Sequence, residues 1–157
     1  ALDDAGLDRI RSYVGVGQSH PTWVHAARAL AEANADVYPG YGLEQWIAMA
    51  KRLYRLNSGG RTVRDYDIKI AAPIRAMGSE AGVDMWPVMQ AFRGIPTLLL
   101  RGERSDLLSV ASARRMVGEI GEGAELVTVP DVGHAPALDE PESAAAIDRL
   151  LDRVLRG

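Results

Sequence analysis

The chain has 157 residues, a formal net charge of −3, 47% hydrophobic and 25% charged residues, which suits one soluble domain with a real core. The acidic balance argues against a nucleic-acid partner, which calls for a basic face, and no apolar run approaches the roughly 18 residues that a membrane span needs. With no cysteine there is neither a disulfide nor a thiolate metal site, in keeping with a cytoplasmic protein; Ala1-Leu-Asp-Asp does not read as a signal peptide, and the missing Met places the expected start upstream or marks a trimmed end.

Residues 1–93 read as helices joined by irregular connectors, with nothing that forms a sheet by itself. Asp3 or Asp4 can cap a first helix carrying Leu7, Ile10 and Val14 on one face, ended by Gly15 and Gly17. Ser19-His-Pro-Thr22 is a start signal for a second helix through Trp23, Ala26, Ala27 and Leu30. Tyr38-Pro-Gly-Tyr-Gly42 is a loop, and the spacing of Leu43, Ile47, Ala50, Leu53 and Tyr54 predicts an amphipathic helix over 43–56. Asn57-Ser-Gly-Gly60 breaks it. Val63, Tyr66, Ile68 and Ile70 alternate and predict an extended segment over 61–70, and a short helix is expected over 84–93 with Pro87 in its first turn.

Residues 94–157 read as strand, helix, strand, helix. Ile95-Pro-Thr-Leu-Leu-Leu100 is the continuous apolar run of a strand buried on both faces of a parallel sheet. Ser109 caps a helix carrying Ala113, Met116, Val117 and Ile120; Glu125-Leu-Val-Thr-Val129 is a β-branched strand; Ile147, Leu150, Leu151, Val154 and Leu155 stripe a last helix that starts near Pro141. This order implies a right-handed parallel crossover. Two parallel strands make a poor sheet, so the Ile95–Leu100 run needs another neighbour. The expected partner is a missing N-terminal half of the fold or, failing that, a second copy pairing through the open strand edge.

Two turns carry the candidate chemistry. Arg101-Gly-Glu-Arg-Ser-Asp106 follows the first strand and Val132-Gly-His134-Ala-Pro136 follows the second. In open α/β sheets functional groups collect at the carboxyl ends of strands. A carboxylate there can fix the tautomer of an imidazole and stabilise the imidazolium, and an imidazole of near-neutral pKa can take a hydroxyl proton and hand it on. Asp106 and His134 are therefore the candidate acid and base. The third member of a nucleophilic set is missing: no Gly-x-Ser-x-Gly occurs, and none of Ser12, Ser19, Ser58, Ser79, Ser105, Ser109, Ser112 or Ser143 stands in such an elbow. His20 and His25 lack the spacing of a helical metal pair, so no metal and no cofactor is expected. Trp23, Trp46 and Trp86 are core residues that could also line a small apolar substrate's pocket.

Pro96-Thr-Leu-Leu-Leu-Arg-Gly-Glu-Arg-Ser-Asp106 followed by Val129-Pro-Asp-Val-Gly-His134-Ala-Pro-Ala-Leu-Asp-Glu-Pro141 resembles the C-terminal end of an α/β-hydrolase. The family's chain order of nucleophile, acid, histidine matches Asp106 and His134 to the last two roles. The resemblance implies a partial α/β-hydrolase fold: a helical cap over 1–93 with its return to the core, then the last two core strands with their helices over 94–157. It implies hydrolysis of an ester or similar bond of a small molecule by the complete enzyme, with this chain inactive alone; the alternative is a non-catalytic binding or oligomerisation module derived from such an enzyme.

Overall fold

A computed structural model describes residues 8, 15, 18–76 and 84–156. Apart from Asp8, the expected first helix lies outside the described residues. The rest falls into two compact units, one within Asp8–Glu80 and one within Ala81–Gly157.

The first unit is built on two helices and a small sheet. Helix α1 (Trp23–Asn34) starts where expected: the Thr22 hydroxyl accepts the His25 N–H, and no Gly or Pro interrupts the run. Helix α2 (Leu43–Leu53) packs on it. Small residues let the two approach: Ala26, Ala27 and Ala50 are fully buried, and Leu30, Trp46 and Tyr54 close the cluster. Tyr38 and Tyr41, from the loop between the helices, stack at 4.7 Å and both meet Trp46 edge-on.

This unit corrects three sequence expectations. Helix α2 stops at Leu53, and strand β2 (Tyr54–Leu56) follows directly. The stretch 61–70 is extended only over β3 (Thr62–Arg64); Ile68–Ile70 is a 3₁₀ turn leading into α3 (Ala71–Ala76). With β1 (Ser19–His20) these strands form an antiparallel sheet of order β1-β3-β2, in a region expected to hold none. The three strands are two or three residues long, below the length at which alternation is readable. What makes the β2–β3 hairpin is its turn: the Asn57 carboxamide accepts the N–H groups of Gly59 and Arg61, and Gly60 takes φ 73°, a conformation that costs glycine little.

The second unit follows the expected strand–helix–strand–helix order. Trp86–Met89 (α4) and a 3₁₀ turn at Gln90–Phe92 lead to β4 (Thr97–Gly102), α5 (Val110–Ile120), β5 (Ala124–Val129) and α6 (Pro141–Arg156). Strands β4 and β5 are parallel, in register from Thr97 opposite Ala124 to Gly102 opposite Val129. Both α5 and α6 pack on the strand pair. Ser109 caps α5 through the Ser112 N–H at 3.0 Å. Leu98, Leu99 and Leu100 are only half-buried, whereas Ile95 is 52% exposed. The apolar run thus lacks the neighbours its composition calls for.

Candidate active site at the strand ends

The two strands end side by side, and the chain stitches their outgoing loops together. The Glu103 N–H bonds the Val129 carbonyl at 2.8 Å and the Arg104 N–H bonds the Val132 carbonyl at 2.9 Å. The Glu103 carboxylate takes the Asp131 N–H at 3.1 Å, and Arg104 pairs with Asp131 at 2.8 Å. Gly102 is what allows this approach. A Cβ there would collide with the carbonyl of Gly133 and stand 2.5 Å from that of Val132.

Asp106 lies half-buried in the loop after β4, and His134 lies exposed in the loop after β5. Ser105 links the acid loop to the histidine itself: its Oγ stands 3.3 Å from His134 Nδ1, across 29 positions of sequence. That Oγ also accepts the Leu108 N–H at 3.1 Å, so the hydroxyl sits fixed between its own loop and the ring. The Nδ1 edge of His134 therefore faces the loop that carries Asp106, and Nε2 lies on the opposite side of the ring.

Each loop is held by a buried or half-buried charge that sequence reading passed over. Arg101, 6% exposed, turns its guanidinium along the acid loop. Nε donates to the Leu108 carbonyl at 2.7 Å, and the terminal nitrogens donate to the carbonyls of Glu103 at 3.1 Å and Ser105 at 3.2 Å. Glu140 does the converse for the histidine loop. Its carboxylate accepts the N–H groups of Ala137 at 2.7 Å and Leu138 at 3.0 Å and the Ser143 hydroxyl at 2.7 Å. Burial alone would raise the Glu140 pKa, but these hydrogen bonds outweigh it and hold the carboxyl below the usual glutamate value. The grip explains how Leu138 keeps φ 70°, a left-handed conformation that a branched side chain resists. A charged residue at the end of an apolar strand run was the available signal for Arg101; Glu140 was hidden behind Asp139, Pro141 and Glu142, which carry the ordinary helix-start pattern.

The three tryptophans stand in different settings. Trp46 is core, enclosed by Tyr38 and Tyr41; Trp23 is half-buried against the same cluster; Trp86 belongs to the second unit, where the Arg115 guanidinium lies 3.9 Å from its ring centre. No group of three or more His, Asp or Glu side chains able to hold a metal occurs among the described residues. No helix of the described residues is long and apolar enough to cross a membrane.

The parallel strand pair flanked by helices belongs to an α/β-hydrolase fold, of which this chain forms a part. An α/β hydrolase from Novosphingobium aromaticivorans is 53% identical and superposes with a TM-score of 0.87, over 97% of this chain and 53% of that one. The 3-hydroxybutyrate-oligomer hydrolase of Cupriavidus necator is 29% identical over 151 residues, 92% of this chain and 50% of its own. E-2-(acetamidomethylene)succinate hydrolase shares the fold at 23% identity and a TM-score of 0.70, over 96% of this chain and 53% of that one. The chain thus spans about half the length of the hydrolases it matches. No protein-family model matches it.

Proposed function

We propose that this chain supplies the acid and the histidine of a nucleophile–histidine–acid hydrolase, with Asp106 as the acid and His134 as the base. The single observation that carries the reading is the Nδ1 edge of His134 turned to the acid loop, with Ser105 Oγ at 3.3 Å. With Nδ1 on that side, Nε2 is the atom that takes a proton from a nucleophile and returns it to the leaving group. The Asp106 carboxylate orients the ring and offsets the charge of the imidazolium. The nucleophile comes from the half of the fold that the relatives have and residues 1–157 do not encode. A covalent intermediate forms on that nucleophile, and His134 then activates the water that releases it. The substrate is a small molecule with an ester or similar bond, a class favoured by the Cupriavidus necator relative's action on 3-hydroxybutyrate oligomers.

The test has two arms. The chain of residues 1–157 hydrolyses p-nitrophenyl esters at the buffer rate. In the protein completed by its N-terminal half, His134→Ala and Asp106→Asn each lower kcat by about a thousandfold or more, with the fold intact by circular dichroism. Turnover by the short chain that His134→Ala abolishes, or a completed enzyme indifferent to both substitutions, overturns the reading.

A further inference from the structure

Ser105 is pinned through its backbone and its side chain at once. Its N–H bonds the Gly102 carbonyl at 3.1 Å, its carbonyl takes the Arg101 guanidinium at 3.2 Å, and its hydroxyl takes the Leu108 N–H at 3.1 Å. Leu107 is buried and anchors the same loop. A serine hydroxyl usually turns among several partners, but these bonds fix where its oxygen stands. That oxygen meets His134 Nδ1 at 3.3 Å. The histidine is exposed, and the bonds from Glu140 that hold its loop reach the N–H groups of Ala137 and Leu138, which are backbone beyond the ring. Ser105 is therefore the rigid side of this contact and the imidazole the side with rotamer freedom to lose.

The bonding capacity of Oγ limits what it can do for the ring. The Leu108 N–H takes one lone pair, which leaves a second lone pair and the hydroxyl proton. If the neutral ring carries its proton on Nε2, the hydroxyl donates to a bare Nδ1, and Nε2 cannot take a nucleophile's proton. If the ring carries its proton on Nδ1, Oγ accepts it through the second lone pair and Nε2 is bare. The imidazolium, protonated on both nitrogens, needs an acceptor at Nδ1, and the hydroxyl serves it by turning its own proton away, with no heavy atom moved. Asp106 is the next residue in the chain, and in the role proposed for it the carboxylate only accepts, so both groups favour a proton on Nδ1.

We propose that Ser105 is a positioning residue for the hydrolysis. It acts through His134: Oγ holds the imidazole from its Nδ1 edge and accepts the Nδ1–H, which keeps Nε2 on the far side of the ring as the base, before and after the ring takes a proton. Ser105 has this role only if His134 is the base, as proposed above. Its part differs from that of Asp106. The carboxylate offsets the charge of the imidazolium, whereas the neutral hydroxyl gives the ring a fixed point. The expected contribution is that of one neutral hydrogen bond, about tenfold in rate, well below that of the carboxylate.

The experiment uses the protein completed by its N-terminal half, with isotopically labelled histidine. The His134 ring resonances are identified by their loss in His134→Ala, and their shifts show which nitrogen carries the proton. In the wild type that nitrogen is Nδ1. Ser105→Ala, and Ser105→Cys, which keeps the shape of serine but accepts weakly, give a mixture of the two tautomers, lower kcat on p-nitrophenyl acetate about tenfold and leave KM unchanged. Ser105→Thr keeps the oxygen and restores both readouts. A role in stability alone would lower the urea midpoint without moving the tautomer. His134→Ala and Asp106→Asn are run alongside. Large losses in these two, with the tautomer and kcat of Ser105→Ala and Ser105→Cys at the wild-type level, overturn the role of Ser105 alone; indifference to these two overturns the base assignment on which it rests. A wild-type ring protonated on Nε2, no recovery in Ser105→Thr, or covalent labelling of Ser105 by a fluorophosphonate, which would make it a nucleophile, also overturns the proposal.

Discussion

Gly102 shows how one residue decides whether the two loops can meet. Its missing side chain is the space that the carbonyls of Gly133 and Val132 occupy. Both obstacles are backbone, so no rotamer change relieves them. Gly102→Ala is expected to destabilise the chain by about 2–4 kcal/mol and to part the Ser105 hydroxyl from His134, read as a lower denaturant midpoint and a changed His134 resonance. Arg101 acts on the same loop through charge. Replacing it by Met keeps much of the buried stem but leaves three carbonyls without their donor. The expected cost is about 2–4 kcal/mol, measured by urea unfolding, with Arg101→Lys recovering only part because an ammonium cannot span three acceptors as the planar fork does.

Helix α6 and the loop before it form one element, tied at Glu140. Its carboxyl titrates lower in the folded chain than the ordinary value of 4.5, so the unfolded chain binds the proton more readily. The stabilisation is therefore full above that value and is lost as pH falls below it through the folded pKa. Stability measured from pH 6 down to pH 3 is expected to fall less steeply in Glu140→Gln than in the wild type, and the variant is expected to be less stable at pH 6. Along the helix, Arg149 and Arg153 reach Glu125 on β5 at 2.6 Å and 2.8 Å. These bonds lower the Glu125 pKa, but the pairs are solvent-facing and contribute little by themselves. What holds α6 is Ala146 and Ser143, buried against the strand pair, while Leu151, Val154 and Leu155 stand 50%, 54% and 82% exposed. A stripe of that width on a helix is built to be covered.

At the scale of the molecule the same theme recurs. Strands β4 and β5 have only each other among the described residues, and the leucines of β4 are half-buried. An unpaired edge next to apolar surface recruits another chain. We expect residues 1–157 alone to self-associate at micromolar concentration by light scattering, and co-expression with the N-terminal half of the fold to give a single heterodimeric species. A monomer that unfolds cooperatively would show that the strand pair needs no neighbour.

The elements of the second unit were legible because their signals are long and local: six-residue apolar strands, a Ser109 cap, and helical stripes repeated over several turns. Asp106 and His134 were legible as residues on loops after such strands. The sheet of the first unit was not, because strands of two or three residues carry no period; they exist only where Asn57 turns the chain and His20, Thr62 and Arg64 meet across it. By itself, then, the sequence determined the order of elements and the kinds of side chain at the strand ends, since both follow from short-range pattern. The tertiary structure alone decided that Ser105 meets His134, that Arg101 and Glu140 hold the two loops, and that His20 and Arg64 share a face. Those pairings join residues distant in sequence, and they depend on register and close backbone approach, which local propensity does not encode.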